Sequence, residues 1–191
     1  CLEPALYSPR ILKSIIAAAE EKEQKEYPVH LKFNTGLNRL GFWGNDTEWI
    51  MGQLANTSSI RIKSLFSHLA ASDDPNEKEF TLGQINTFKS ISEDMSDRLG
   101  YAPMLHQSNT SAILNYPEAE FDMVRTGIGL YGYGNEKRHD SKLKPVHTLK
   151  SVISQIHRIE PGETVGYNRG YKASGYEVTA TVPIGHADGM L

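Results

Sequence analysis

Short apolar segments alternate with helical ones through the first part of this chain, and polar residues follow each apolar segment. The apolar segments are predicted strands at 29–33, 60–68, 104–105 and 121–124. Between them, periodic apolar residues and capping residues predict helices starting at Pro9, at about Asp46, at about Asn76 and at Ser111. Strands that alternate with helices form a parallel sheet with right-handed crossovers. Four such units make either half of an eight-stranded α/β barrel or a small open sheet.

The character of the sequence changes after Gly134. Residues 135–144 form a polar linker, and no helical period is present beyond it. Two strands are predicted there, at 146–159 and 176–184, and a turn-rich stretch joins them. We therefore expect two domains: half of an α/β barrel at residues 1–142 and the start of an all-β domain at residues 143–191.

Composition excludes several classes of protein. The 191 residues carry a net charge of −3, so there is no basic excess of the kind that binds nucleic acid. No apolar run approaches the roughly 20 residues that span a membrane. The only cysteine is Cys1, which rules out an internal disulfide and fits a reducing, cytoplasmic compartment. The chain starts and stops abruptly, and we expect it to be an internal piece of a longer protein.

The segment VHLKFNTGLNRLGF, residues 29–42, combines a buried-strand pattern with two basic residues. Three apolar residues alternate with polar ones, as in a strand with one apolar face. Lys32 lies on the other face, and Arg39 follows in the turn at the carboxyl end of the strand, where parallel sheets bind ligands. Both cations can point at one spot. The alternative is that both lie in solvent, because a charge is rarely buried unless it is paired.

Polar residues follow all four predicted strands. They are Arg39, His68, Asn109 with Thr110, and Arg125. In a barrel these strand ends surround one mouth, so we expect the groups to lie together. Thr110 and the backbone N–H groups of Gly127 and Ile128 suit a phosphate, although Gly-x-Gly also occurs in plain tight turns. His68 is either a structural, hydrogen-bonded histidine or a catalytic one. No metal site is predicted.

Six segments of the chain resemble the alanine racemases, in the order in which that family has them. They are residues 29–42 (compared with HLKxDTGMxRLGF), SHLAASDD (67–74), HQSNTSAIL (106–114), FDMVRTGIGLYG (121–132), VGYNRGY (165–171) and VPIGHADG (182–189). Several short matches in the correct order and spacing are improbable by chance. The resemblance implies a fold-type III enzyme that uses pyridoxal 5'-phosphate (PLP). It makes this chain the second half of a (β/α)8 barrel of the TIM type, followed by the first strands of a β domain.

The resemblance also implies a role for each candidate residue. Arg39 would contact the phenolic oxygen of PLP and the substrate carboxylate, held in place by Lys32, which many members carry in carbamylated form. Arg125 would pair with the pyridine nitrogen, and His68 would link Arg125 to the catalytic tyrosine. That base would be Tyr167, acting across a homodimer interface on the cofactor of the neighbouring subunit.

The resemblance assigns the cofactor phosphate to Thr110, Gly127 and Ile128, with Thr110 at the position of a usual serine. The assignment of Arg125 has a chemical consequence. A guanidinium does not give up its proton, so the ring nitrogen would stay unprotonated and the ring would be a weaker electron sink. That favours prompt reprotonation of the substrate over transamination.

The chain departs from the family pattern at several positions. Asn34 stands where the family has aspartate, Leu37 where it has methionine, and His186 where it has tyrosine. The first two change local hydrogen bonding, and the third bears on substrate access. No segment of the 191 residues resembles KANAYGHG, which carries the family's PLP lysine, and the family's carboxyl-terminal tyrosine has no counterpart. We therefore expect this piece to be inactive by itself.

The expected function is that of the parent protein, the interconversion of L- and D-alanine for peptidoglycan. Its expected partners are alanine and a second copy of the same protein, without nucleic acid or membrane. Two alternatives stay open: a related racemase such as a serine racemase, and a non-catalytic binding or assembly module of the same fold. An amino-acid decarboxylase is disfavoured, because such an enzyme would place an acid rather than Arg125 at the pyridine nitrogen.

Overall fold

The computed structural model describes residues 2–190, with only the backbone at Lys137 and Asp140. The chain folds as two compact units, Cys1–Val146 and His147–Leu191. The division follows Val146, whereas the sequence pattern places it after residue 142. Within the described residues, no helix has the length and apolar character needed to cross a membrane.

A four-stranded, all-parallel sheet forms the centre of the first unit. Its strands, in spatial order, are β1 (Ala5–Leu6), β2 (Tyr27–Lys32), β3 (Ile60–Phe66) and β4 (Met104–His106). The helices are α1 (Pro9–Glu21), α2 (Thr47–Leu54), α3 (Lys78–Leu99), α4 (Thr110–Asn115) and α5 (Lys137–Asp140). Short 3-10 turns lie at Gly44–Asp46, Pro75–Glu77, Pro117–Ala119 and Ile128–Tyr131. The parallel α/β architecture predicted from the alternation is confirmed.

The strand predicted at 121–124 is wrong, because those residues form no strand. The Asp122 carboxylate instead accepts the Leu105 N–H at 2.7 Å, and the Asp122 N–H donates to the Leu105 carbonyl at 3.0 Å. The segment therefore meets β4 without forming a ladder. Phe121 packs edge-on against Phe88, with ring centroids 5.2 Å apart. The sheet reaches four strands by including β1 instead. That strand has only two residues, which are too few to show an apolar–polar alternation in the sequence.

Local signals set the ends of the helices. The Ser8 side chain accepts the Ile11 N–H at 3.5 Å and caps α1, which has a proline in its first turn. Gly100 ends α3 in the left-handed conformation, with φ of 72°. Both agree with the predictions. Asp46 was predicted to cap α2, but its carboxylate accepts the Trp43 N–H at 2.8 Å and organises the preceding 3-10 turn.

One face of the sheet packs against the helices and the other face is polar. Val29 and Leu31 of β2 are fully buried and belong to one core with Leu12, Ile50 and Phe88 from α1, α2 and α3. The predicted alternation along β2 is therefore confirmed. Residues between the apolar ones point the opposite way, and this polar face of the sheet carries the groups described below.

The second unit contains two antiparallel pairs of strands. β5 (Gln155–Ile159) pairs with β8 (Glu177–Thr181), and β6 (Thr164–Val165) pairs with β7 (Tyr171–Lys172). Both long strands predicted here are observed in shortened form. Among the described residues of this unit, only Ala173 is a buried apolar side chain. The unit has β structure, as expected, but little core of its own.

Candidate functional site

The loop after β2, residues 34–41, is closed at its base by backbone hydrogen bonds. The Phe42 N–H donates to the Lys32 carbonyl at 2.8 Å, and the Asn34 N–H donates to the Phe42 carbonyl at 2.7 Å. Gly41 makes this closure possible. Its φ is 135°, and a Cβ at this position would lie 2.6 Å from the Asn34 nitrogen. A side chain does not fit there.

The same loop is held from within by the amide of Asn34. Its Oδ1 accepts the N–H groups of Gly36 at 3.2 Å and Asn38 at 3.0 Å, and its Nδ2 donates to Asn38 Oδ1 at 2.8 Å. The last of these bonds needs an amide, because a carboxylate has no proton to donate. Arg39 follows directly, exposed and beside a cleft of about 400 Å3. Asn34 thus shapes the loop that presents Arg39.

Lys32 is buried, with 8% of its surface exposed. Burial lowers the pKa of its amine, and the positive charges of Arg39 and Arg125 lower it further. In the part of the chain that the structure describes, none of these three cations has a carboxylate partner. The interpretation that Lys32 and Arg39 both lie in solvent therefore holds for Arg39 alone. Lys32 is a buried cation whose nearest charges are also positive.

The guanidinium of Arg125 lies between the carboxyl ends of β3 and β4. Nη1 donates to His106 Nδ1 at 2.5 Å and to the His106 carbonyl at 3.1 Å. Nη2 donates to the carbonyls of Ser67 at 2.6 Å and Gln107 at 3.2 Å, and lies 3.2 Å from His68 Nδ1. Among the described residues no acceptor contacts its Nε–H, which leaves one donor for a ligand. These partners solvate the cation without neutralising it.

His68 is held as a neutral ring. Burial lowers its pKa, and the charges of Arg125, Arg39 and Lys32 lower it further, in that order. Because Nδ1 faces an arginine that only donates, the proton of the neutral ring belongs on Nε2. His68 therefore offers one N–H donor, at Nε2, to a group on the side of the ring away from Arg125.

Three further residues hold Arg125 and His68 in place, although the sequence assigned them no role. They are His106, Ser67 and Gln84. Gln84, 2% exposed on α3, accepts the Ala70 N–H at 2.9 Å and lies 3.4 Å from the His68 carbonyl. His106 directly follows the strand predicted at 104–105 and is the last residue of β4, and that position at a strand end was the available signal. Gln84 lies inside an ordinary helical pattern and gave no signal.

The structure brings the three predicted phosphate ligands together. Thr110 Oγ1 accepts the Gly127 N–H at 2.9 Å and the Gly129 N–H at 3.2 Å. The Ile128 N–H lies between them and has no acceptor among the described residues. A Cβ on Gly129 would lie 2.9 Å from Thr110 Cγ2, so glycine is required for this close approach. The hydroxyl proton of Thr110 and the Ile128 N–H are both free to donate to an anion.

Tyr167 belongs to the second unit. It opens the 3-10 turn Tyr167–Arg169 and its side chain is fully exposed. Asn168 and Arg169 both have φ of 55°, a left-handed conformation that makes this turn tight. The role of Tyr167 as a base stays a prediction.

Similarity to known proteins identifies the family. Residues 1–135 match the alanine racemase N-terminal domain, and residues 146–191 match the alanine racemase C-terminal domain. The chain belongs to the alanine racemase family. An alanine racemase from Treponema denticola is 34% identical over 195 residues, a match that covers 100% of this chain and 51% of that protein.

Solved alanine racemases are similar to the chain in structure as well. Alanine racemase from Streptomyces coelicolor A3(2) has a TM-score of 0.85 and 29% identity, over 98% of this chain and 51% of that one. Alanine racemase from Bartonella henselae, solved with covalently bound pyridoxal phosphate, has a TM-score of 0.78 and 25% identity. The match covers 98% of this chain and 50% of that one. The chain spans about half the length of the alanine racemases it matches.

Proposed function

We propose that the protein in which this sequence occurs interconverts L- and D-alanine with PLP as cofactor, and so supplies D-alanine for peptidoglycan in the cytoplasm. The observation that carries the proposal is that Lys32, Arg39 and Arg125 have no carboxylate partner among the described residues of this member of the alanine racemase family. The same unit also presents phosphate donors at Thr110 and Ile128. Such a group of cations and donors favours a ligand that is itself anionic at several points. The four parallel strands support a further proposal, that residues 1–142 form half of a (β/α)8 barrel and residues 143–191 begin a β domain.

The donors of this chain fit PLP in two places. The Thr110 hydroxyl and the Ile128 N–H would donate to the phosphate. Gly127, whose N–H donates to Thr110 Oγ1, would line the same cradle, which Gly129 opens. The free Nε–H of Arg125 would donate to the pyridine nitrogen. When bound, PLP supplies an electron sink for the α-carbon of an amino acid. Arg125 tunes that sink, because a guanidinium keeps its own proton and leaves the ring nitrogen unprotonated.

Arg39 and Lys32 would act as one unit on the substrate side. The Arg39 guanidinium would bind the alanine carboxylate and the phenolic oxygen of PLP. Among the described residues Lys32 has no carboxylate partner, and its lowered pKa leaves more of the amine in the neutral, nucleophilic form. Attack of that amine on carbon dioxide forms an N–C bond and releases one proton, which turns Lys32 into a carbamate anion. The anion would then face Arg39 and Arg125 and remove the repulsion between the three cations.

Carbamylation of Lys32 is directly testable on this chain. In 13C-labelled bicarbonate near neutral pH, we expect a carbamate carbon resonance of Lys32 besides that of the terminal amine. The Lys32 resonance should disappear on acidification, because a protonated amine does not react. Lys32→Gln should abolish the resonance. The matched control is Lys78→Gln, at an exposed lysine at the start of α3, which should leave the resonance unchanged. A spectrum that is the same in the presence and absence of Lys32 would refute the proposal.

Racemisation needs a base on each side of the substrate, and Tyr167 would be one of them. We propose that Tyr167 Oη of a second copy in a homodimer removes the proton from the α-carbon of one alanine enantiomer. The Nε2–H of His68 would stabilise the phenolate form of Tyr167, which is the form that accepts this proton, with Arg125 behind His68. The chain contains no segment like the family's PLP lysine, so we propose racemisation only for a protein that also supplies that lysine.

The test uses the complete reading frame in which this sequence occurs. We expect the purified protein to convert L-alanine to D-alanine in a PLP-dependent reaction, and Arg39→Leu to lower kcat/KM by about 100-fold or more. Arg10→Leu, at an exposed arginine of α1, is the matched control and should change little. A preference for serine would favour a serine racemase. PLP binding without any turnover would favour a non-catalytic module.

A further inference from the structure

A row of polar side chains crosses the polar face of the sheet from Arg125 to Glu3, which precedes β1. His106 Nδ1 lies 2.5 Å from Arg125 Nη1, and His106 Nε2 lies 3.0 Å from Ser64 Oγ. Ser64 Oγ in turn lies 2.6 Å from His30 Nδ1, and His30 Nε2 lies 3.0 Å from Glu3 Oε2. Every step is within hydrogen-bond distance. The five side chains therefore form one continuous relay.

The Arg125 end of the relay fixes the proton of His106. A guanidinium has donors and no acceptor, so His106 Nδ1 must accept. The neutral His106 ring then carries its proton on Nε2 and donates it to Ser64 Oγ. Burial first, and then the charge of Arg125, lower the pKa of His106 to about 4, so the ring is neutral at neutral pH.

The Glu3 end of the relay has the opposite character. A carboxylate only accepts, and Lys63 donates to Glu3 at 2.7 Å and lowers its pKa, which keeps Glu3 ionised. His30 therefore donates through Nε2–H, and the neutral form of its ring accepts at Nδ1. The Ser64 hydroxyl must then donate its proton to His30. A pure donor at one end and a pure acceptor at the other thus give the relay a single direction.

We propose that Ser64 and His30 are positioning residues for Arg125, because the directed relay locks His106 in the Nε2–H tautomer that accepts from the guanidinium. His30, Ser64 and His106 lie on β2, β3 and β4, and Glu3 precedes β1. All four strands of the sheet therefore position the relay. Ser64 is fully buried, and the His106 ring is stacked on Phe66 with centroids 4.9 Å apart and planes 9° apart. The ring therefore has little freedom to turn toward another partner. The inference rests on the proposed function only for the importance of Arg125.

The tautomers can be measured on the chain with 15N-labelled histidine, since a ring nitrogen that carries a proton resonates far from one that does not. We expect His106 and His30 each to show a bare Nδ1 and a protonated Nε2. Ser64→Ala leaves the buried His106 Nε2–H without an acceptor, which opposes the tautomer that Arg125 requires. The contact between His106 Nδ1 and Arg125 should therefore loosen, and His106 should lose its single-tautomer pattern. His30→Leu, at a half-buried position, frees the Ser64 proton to turn toward His106 Nε2, and should have the same effect on His106.

Rescue and control variants separate this role from a merely structural one. Ser64→Thr keeps the hydroxyl and should restore the single tautomer of His106. Ser92→Ala removes another buried serine hydroxyl, on α3, and should leave both histidines unchanged. A His106 with its proton on Nδ1, an unchanged pattern in both Ser64→Ala and His30→Leu, or a folded Ser64→Thr that fails to restore the pattern would each overturn the proposal. The measurement needs no cofactor and no turnover, so its failure would leave the racemase proposal standing.

Discussion

Replacement of Arg125 by leucine is expected to lower the free energy of unfolding of this chain by about 3–5 kcal/mol. The guanidinium donates to the carbonyls of three residues, Ser67, His106 and Gln107, all of which are buried. Leucine fills part of the volume but offers no donor. Each buried acceptor left without a partner costs about 1–3 kcal/mol. The His106 carbonyl keeps the Ser67 N–H at 3.3 Å, and partial entry of water reduces the sum further. Urea unfolding followed by circular dichroism measures the change.

The matched control for Arg125 is Arg61→Leu. Arg61 is an exposed arginine of β3, paired with Glu26 at 3.0 Å and placed over the ring of Tyr101. Exposed ion pairs contribute about 0–1 kcal/mol, so this variant should lose little stability. If Arg125→Leu lost no more stability than Arg61→Leu, the guanidinium would not be the donor on which these carbonyls depend.

Replacement of Gly41 by alanine is expected to lower the free energy of unfolding by about 3 kcal/mol or more. The new Cβ would lie 2.6 Å from the Asn34 nitrogen and 2.7 Å from the Phe33 carbonyl carbon, at a φ of 135°. These are backbone atoms, so no side chain can move aside. The base of the loop must open, and the bonds that join Lys32 and Asn34 to Phe42 are then lost. Arg39 loses its fixed position together with them.

The matched control for Gly41 is Gly100→Ala at the end of α3. Gly100 also has a positive φ, 72°, but a Cβ there would meet no atom within 4 Å. This variant should cost about 1 kcal/mol, the usual cost of a left-handed alanine. The difference between the two variants reports the collision together with the additional backbone strain of alanine at φ 135° compared with φ 72°. Equal losses in urea unfolding would show that the loop base relaxes around the extra carbon.

Local patterns in the sequence were sufficient for the elements that carry the site. The apolar alternation from Val29 to Phe33 predicts β2 and the face on which Lys32 lies, because successive residues of a strand point in opposite directions. Ser8 and Gly100 mark helix ends, because capping depends on a few neighbouring residues. The resemblance of whole segments also assigned the family, which the matches of residues 1–135 and 146–191 show.

Only the tertiary structure decided how these elements meet. The sheet takes β1 as its fourth strand and leaves 121–124 without a ladder, since strand pairing depends on partners far apart in the chain. Arg125 bonds to the Ser67 carbonyl across 58 residues, and His106 bonds to Ser64 across 42. No short window of sequence contains both members of such a pair. The burial of Lys32 beside two arginines, and with it the lowered pKa of its amine, follows from the same long-range packing.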